Sequence, residues 1–322
     1  MNSHFDIVAI GELLIDFTPL KAAPGKVAYE LNPGGAPANV LVAAQKLGKK
    51  TALIAKVGND IFGKFLKDTV EKEGINTKAL IVSDDYSTTL AFVTLNEFVD
   101  RRFDFLRKNS ADVMMTEDDL DDDILSNCDI FHFGAVSLTT ELSRRTTFAA
   151  VKRAKQAGAI ISYDPNYRPP LWKNVQEAKK IMREGFQYAD VVKIADDELK
   201  LIFDESNYLD GAKRIVSDGA KFAFVTLGPE GCCFATAYGD EGYVPGFKVN
   251  TVDTTGAGDT FTGVILSKLH DCNFLPSSAE IDSMVKLANA AGALNTTKRG
   301  AIPAMPSEQD IETLLYKNAL IS

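Results

Sequence analysis

The chain is 322 residues long, 45% hydrophobic and 25% charged, which excludes a disulfide-stapled miniprotein, wholesale disorder and a membrane-embedded body. Lys and Arg number 35 against 44 for Asp and Glu, and the net charge of -9 repels nucleic acid and anionic membrane over most of the surface. Any anionic ligand must therefore be met by a local pocket.

Residues 5–10 read as a short strand ending at Gly11, and residues 51–57 as another ending at Gly58. Pro37 in a first turn, apolar Val40, Leu41, Ala44 and Leu47, and a stop at Gly48 predict a helix of about three turns. Phe62, Phe65, Leu66 and Val70 before Gly74 predict the next. The alternation returns as strand 129–133, helix 141–157, strand 159–163, helix 175–188, strand 190–194 and strand 222–225. Repeated βα units predict a three-layer α/β/α arrangement, a mostly parallel sheet covered by helices on both faces, with ligands at the carboxyl ends of the strands. Segments 12–33 and 88–107 break the pattern with β-rich stretches and no helix between them, and read as a small antiparallel lid on a single domain spanning 1–322. The acidic run Asp118 to Asp123 lacks the glycine and spacing of a calcium loop and reads as a solvated helix edge. No Lys or Arg precedes Lys21, which argues against a secretory signal, and Cys128, Cys232, Cys233 and Cys272 show no metal-ligand spacing. Reduced thiols of a cytoplasmic protein are the expectation.

Asp253-Thr-Thr-Gly-Ala-Gly-Asp259 precedes the helical pattern Phe261, Val264, Ile265, Lys268, Leu269, so its glycines sit where a loop becomes a helix N-terminus. Backbone N–H groups at Gly256, Ala257 and Gly258, together with the helix dipole, would hold a phosphate, and small side chains let it approach. Asp259 then stands as a carboxylate beside an anion. That is unfavourable unless it has a task, and the obvious one is taking a proton from a hydroxyl that attacks the phosphate. Earlier in the chain, Gly34-Gly-Ala-Pro-Ala-Asn-Val40 offers paired glycines for close backbone approach to a polyol and, in Asn39, both a donor and an acceptor for hydroxyls.

These two motifs, more than 200 residues apart, resemble the C-terminal and N-terminal signatures of the PfkB, or ribokinase-like, sugar kinases, and the resemblance extends over essentially the whole chain. Within that family Gly11-Glu-Leu-Leu-Ile-Asp16, Tyr163-Asp-Pro-Asn-Tyr-Arg-Pro-Pro-Leu-Trp172 and Arg299-Gly-Ala-Ile-Pro303 resemble the fructokinase branch. The resemblance implies a ribokinase-like α/β fold and ATP-dependent transfer of the γ-phosphate to a hexose hydroxyl, most simply the 6-hydroxyl of D-fructose. Asp259 is the implied base, and Asp16, Gly34, Gly35, Asn39 and Arg168 are the implied sugar ligands. Phe105 and Arg107 lie in the lid, where related kinases read the sugar; an aromatic and an arginine also suit a keto sugar acid, so 2-keto-3-deoxygluconate and ribose remain alternatives.

Lys193-Ile-Ala-Asp-Asp-Glu198 stands where the family often has Asn-x-x-Glu. The resemblance makes Glu198 an organiser of Mg2+ and its waters, while Ala195 replaces the Asn and Lys193 supplies phosphate charge. Thr226, Gly228 and Gly231 resemble the nucleotide loop, and Asn289 the residue beside adenine. Asp253, Thr255, Asn295, Lys298 and Gly300 match the place where relatives bind K+. The family also implies a homodimer through lid edges. A non-catalytic sugar sensor is the reading of another class, against which the retained Asp259 argues. Gly58-Asn-Asp-Ile-Phe-Gly63-Lys64 imitates a Walker A loop, but Phe65 stands where Ser or Thr must ligate magnesium. His4, His132 and His270 carry no triad or metal spacing.

Overall fold

Numbered in chain order, the strands are β1 (Phe5–Ile10), β2 (Leu14–Leu20), β3 (Ala28–Gly34), β4 (Thr51–Gly58), β5 (Leu80–Ser83), β6 (Leu90–Leu95), β7 (Arg101–Leu106), β8 (Cys128–Gly134), β9 (Ile160–Asp164), β10 (Val191–Ala195), β11 (Phe222–Thr226), β12 (Gly231–Thr236) and β13 (Glu241–Pro245). The helices are α1 (Ala36–Lys46), α2 (Ile61–Lys72), α3 (Asp122–Ser126), α4 (Glu141–Gln156), α5 (Val175–Phe186), α6 (Asp196–Phe203), α7 (Tyr208–Ser217), α8 (Ala257–Asp271), α9 (Ser278–Asn295) and α10 (Glu308–Ala319). They belong to a computed structural model that describes residues 4–21, 26–95 and 101–320. The lid stretches 22–25 and 96–100 lie outside the described residues.

Nine strands form one sheet in the order β13-β12-β11-β10-β9-β8-β1-β4-β5. Every pairing from β11 to β5 is parallel, and only the β11–β12 and β12–β13 pairings at one edge are antiparallel. The strands are apolar on both sides because both sides are covered. On β1, Ile7 and Ala9 belong to the buried cluster that holds Val40 and Leu41 of α1, Val264 of α8 and Ala288 of α9, whereas Val8 and Ile10 belong to the one that holds Val151 of α4, Met182 of α5 and Ile202 of α6. That period-two division is what makes three layers. β1 has β4 on one side and β8 on the other, so the chain leaves it in opposite directions, and the crevice this opens at the strands' carboxyl ends is where ligands settle in such sheets.

The lid is a second sheet, β3-β2-β6-β7. The expectation of an antiparallel insert needs one correction: β2 and β6 pair in parallel, because they come from distant segments rather than from one hairpin. Phe17 of β2 stacks on Phe92 of β6 with centroids 4.8 Å apart and meets Phe62 of α2 edge-on, which ties the lid to the body. The acidic run is also more than a solvated edge. Asp119 pairs with Lys56 at 2.9 Å, and Asp121 caps α3 by accepting from the Ile124 amide. All four cysteines are free thiols.

Candidate active site

β1 delivers the chain to Gly11, and the turn into β2 places Glu12 and Asp16 at one end of the crevice. Gly34 and Gly35 press against this turn. A Cβ at Gly35, whose φ is +119°, would lie 2.3 Å from the Glu12 carbonyl oxygen, so no other residue fits there. Pro37 then starts α1, whose missing N–H is no loss in a first turn. One turn on, buried Asn39 donates from Nδ2 to Asp259 Oδ2 at 2.7 Å, bridging the two motifs across 220 residues of sequence. Asn39 Oδ1 is buried and has no hydrogen-bond partner among the described residues. A buried acceptor left so is costly unless a ligand hydroxyl supplies the donor.

Asp259 lies in the first turn of α8, whose N-cap is Gly256 in the left-handed conformation at φ +81°. The three amides expected to be free there need a correction at one position: the Ala257 N–H makes a long 3.3 Å turn bond to the Thr254 carbonyl. Facing the helix start, Lys193 in the middle of β10 pairs with Asp164 at the end of β9, Nζ to Oδ2, at 3.1 Å. Both are buried. Glu198 is held through both oxygens, Oε1 accepting the Tyr167 amide at 2.6 Å and Oε2 the Ala195 amide at 2.9 Å. The capping-box position opening α6 thus fixes a carboxylate whose remaining lone pairs suit water-mediated contact with a cation.

Two cavities meet at this point. The larger, about 820 Å³, lies over the ends of β9, β10 and β11, and Lys193, Glu198, Thr226, Gly228, Gly231 and Asn289 all line it. Its volume is that of a pocket for a drug-sized ligand. Asn289 anchors its own wall, donating to the Val244 carbonyl at 3.0 Å. The smaller cavity, under the lid, is lined by Asp16, Gly35, Asn39 and Phe105 among others. Asn166, Arg168, Gly256 and Asp259 belong to both walls. Gly34 backs the smaller one, its α-carbon so close to Asp16 that a Cβ would collide with the carboxylate.

Arg107 differs from expectation. Its Nε donates to Asp112 at 2.7 Å, Nη1 to Thr139 at 2.7 Å and Nη2 to the Val136 carbonyl at 3.1 Å, so it staples the base of β7 behind the sugar-side wall instead of lining the cavity. The proposed ion-site residues do converge. Asp253 accepts from Thr255 and from the Gly300 amide, Asn295 donates to the Ala301 carbonyl, and Asn295 Oδ1 is a buried acceptor with no hydrogen-bond partner among the described residues. Lys298 is exposed at the rim.

Burial pushes the Asp259 carboxyl up to about 6; Asn39's hydrogen bond, Lys193 and Arg168 oppose this, and Asp164 adds to it. Burial likewise raises Asp16 to about 7 against the pull of Arg168, with Asp253 and Asp259 adding to the rise. Lys193 stays a cation, because attraction to Asp164, Glu198 and Asp259 outweighs the burial that works to lower it.

Two lining residues, Glu12 and Asn166, and Asp164, which pairs with the lining Lys193, carried no role in the sequence reading, although their signals lay inside quoted motifs: Glu12 in Gly11 to Asp16, and Asp164 and Asn166 in Tyr163 to Trp172. The Walker-like segment is closed by its own side chain, since Asp60 accepts from the amides of Phe62 and Gly63 at the start of α2. His132 is buried against Ser162, and burial holds it down at about 3; His4 and His270 pair with Asp129 at the amino ends of β1 and β8, far from the cavities.

A family model described as pfkB family carbohydrate kinase matches residues 4–308. The chain is 41% identical to fructokinase-2 of Solanum lycopersicum over 97% of each chain. Among solved structures it resembles a fructokinase from Xylella fastidiosa with bound ATP, at TM-score 0.89 and 32% identity, covering 98% of this chain and 99% of that one. It also resembles a double-mutant fructokinase from Vibrio cholerae O395 in fructose, ADP and potassium ion bound form, at TM-score 0.85 and 32% identity, covering 97% and 99%.

Proposed function

The chain belongs to the pfkB family of carbohydrate kinases, and from that membership we propose that it transfers the γ-phosphoryl group of ATP to the 6-hydroxyl of D-fructose, with Asp259 as base. The observation that carries the residue assignment is the seam. Asp259 is shared by a nucleotide-sized cavity and a smaller polar one, and a buried asparagine ties it to the sugar-side motif.

With a pKa of about 6, Asp259 is ionised at neutral pH and close enough to it to hold a proton in passing. It takes the proton from the substrate hydroxyl while the oxygen attacks the γ-phosphorus in line. The new O–P bond forms as the bond to the β,γ-bridging oxygen breaks, ADP leaves, and Asp259 returns its proton to water. The amides of Gly256 and Gly258 at the head of α8, with Lys193, face the charge that develops on the transferring group. Asp16, Asn39, Arg168 and the Gly34–Gly35 turn orient the sugar, and the lid excludes the water that would otherwise hydrolyse ATP.

Mg2+ fits the Glu198 turn through waters, and when bound it neutralises charge across the β- and γ-phosphates. K+ fits the oxygen-lined bend between residues 253–256 and 295–301, where the orphaned Asn295 Oδ1 offers a ligand. We read residues 1–322 as one domain with its lid, and the molecule as a cytoplasmic homodimer whose free thiols suit a reducing compartment. Among the described residues no helix is long and apolar enough to cross a membrane.

A substrate panel of fructose, ribose and 2-keto-3-deoxygluconate, run with ATP and magnesium and with or without potassium, tests the reading. Fructose should have the highest kcat/KM. A strong preference for the acidic sugar would overturn the substrate assignment, and a monomer in light scattering would overturn the dimer.

A further inference from the structure

We infer that Glu12 is a third carboxylate of the sugar site, one that holds the glycine turn at the head of α1 and selects uncharged sugars over sugar acids. The inference deepens the kinase reading and rests on it for what fills the smaller cavity.

Glu12 is 4% exposed, yet it lines that cavity beside Asp16 and Asp259. Its Oε1 accepts the Ala36 amide at 3.0 Å. Ala36 is the first residue of α1, and three residues later Asn39 reaches Asp259. The carboxylate therefore anchors the element that aligns the base, and the close approach of Gly35 to the Glu12 carbonyl leaves this turn little room to shift. Burial is the main influence raising the Glu12 carboxyl to about 7, with Asp112 adding and Arg107 opposing.

The charge pattern of the wall then decides which sugars enter. Three carboxylates face the cavity, and Arg168 is the one cationic side chain among its described lining residues. Arg107, the residue that could have read a sugar carboxylate, spends its guanidinium on Asp112, Thr139 and the Val136 carbonyl behind the wall. Hydroxyls can donate to carboxylates, so a neutral polyol is complementary to this wall; a sugar acid brings a further negative charge to a wall where three carboxyl groups face one cation, Arg168. Glu12 is the buried member of the three that the proposed phosphoryl transfer leaves without a chemical step.

Steady-state kinetics on wild type, E12Q and E12D, with the best neutral sugar and with 2-keto-3-deoxygluconate, tests this. Glutamine keeps an acceptor for the Ala36 amide and removes the charge; aspartate keeps the charge on a shorter arm. The ratio of kcat/KM for the neutral sugar over the acid should fall at least about tenfold in E12Q and stay within about threefold of wild type in E12D, with the KM for ATP unchanged in both. An unchanged ratio in E12Q, or an equal loss in E12D, overturns the role of Glu12 while the kinase reading stands. A wild type that prefers the acid overturns the role of Glu12 and the assignment of fructose together, and leaves phosphoryl transfer by Asp259 standing. If E12Q does not fold, a sugar-bound crystal structure of the wild type decides: a Glu12 carboxylate within about 3.2 Å of a sugar hydroxyl supports the inference, and one facing away from the sugar overturns it.

Discussion

Replacing Asp259 with Asn keeps the shape of the side chain and removes its capacity to accept a proton. Asn39 presents Nδ2 to the site at 2.7 Å, so the new amide must turn its carbonyl oxygen toward Asn39 and its NH2 toward the substrate hydroxyl. A donor then stands where the reaction needs an acceptor. Loss of a positioned general base costs about 10²–10⁴ in rate, which corresponds to about 3–5 kcal/mol on the barrier. The KM for both substrates should move little, because the cavity walls are unchanged. The same variant has a second readout. A buried carboxyl whose pKa stands at about 6 against an ordinary 3.8 costs the folded protein on the order of 3 kcal/mol once it is ionised. The sign follows from the raised value: the penalty is absent well below pH 3.8, where the group is protonated in both states, grows between 3.8 and about 6, and is complete above that. D259N should therefore melt several degrees above wild type at pH 8, with the difference vanishing near about pH 3. Coupled-enzyme turnover and thermal scans at several pH values measure both. Turnover within tenfold of wild type would refute the assignment of the base, and equal melting temperatures at pH 8 would refute the buried, strained carboxylate.

Three further outcomes follow from the same geometry. In Asn39→Ala, Asp259 loses the hydrogen bond that favours its ionised form, so the acidic limb of kcat/KM should move to higher pH than in wild type; a limb that stays in place would separate Asn39 from the base. Gly256→Ala forces a side chain into φ +81°, with its Cβ 2.5 Å from the Ala301 Cβ, and should destabilise by about 2–4 kcal/mol in denaturant titration. Arg107→Ala leaves buried Asp112 with only the Thr89 and Ser110 hydroxyls and no cationic partner, and should cost about 3–5 kcal/mol of stability, whereas a residue that only read the sugar would change KM and leave the melting temperature alone.

Much of the architecture is legible in the chain because parallel strands and their covering helices carry strong periodic signals. β1, β4, β8, β9, β10 and β11 lie within a residue or two of where the alternation puts them, and α1, α2, α4, α5 and α8 likewise. Four-residue β5 is too short to show a period, and α6 and α7 crowd between two strands with little turn signal. The parallel pairing of β2 with β6 is equally hidden, since nothing local in 14–20 or 90–95 states which neighbour each will find. Within the site, the glycine motifs are visible because a backbone that must approach a ligand or turn sharply tolerates few residue types. Arg107 was misplaced for the opposite reason: a guanidinium suits a sugar, a carboxylate or a structural staple, and only the position of Asp112 chooses.

Local chemistry alone, then, pointed to the proposed phosphate cradle, the acid beside it and the proposed polyol-binding turn, because each would be built from consecutive residues whose types their backbone geometry restricts. What required the folded chain was everything that depends on distance across sequence. Asn39 meets Asp259 and Glu12 is buried behind Ala36 only once β1, α1 and α8 converge on one crevice, and Lys193 meets Asp164 only once β10 pairs with β9 beside it. Burial and charge neighbours set whether a carboxylate is a base, an anchor or a capped surface group, and both are properties of the packed molecule.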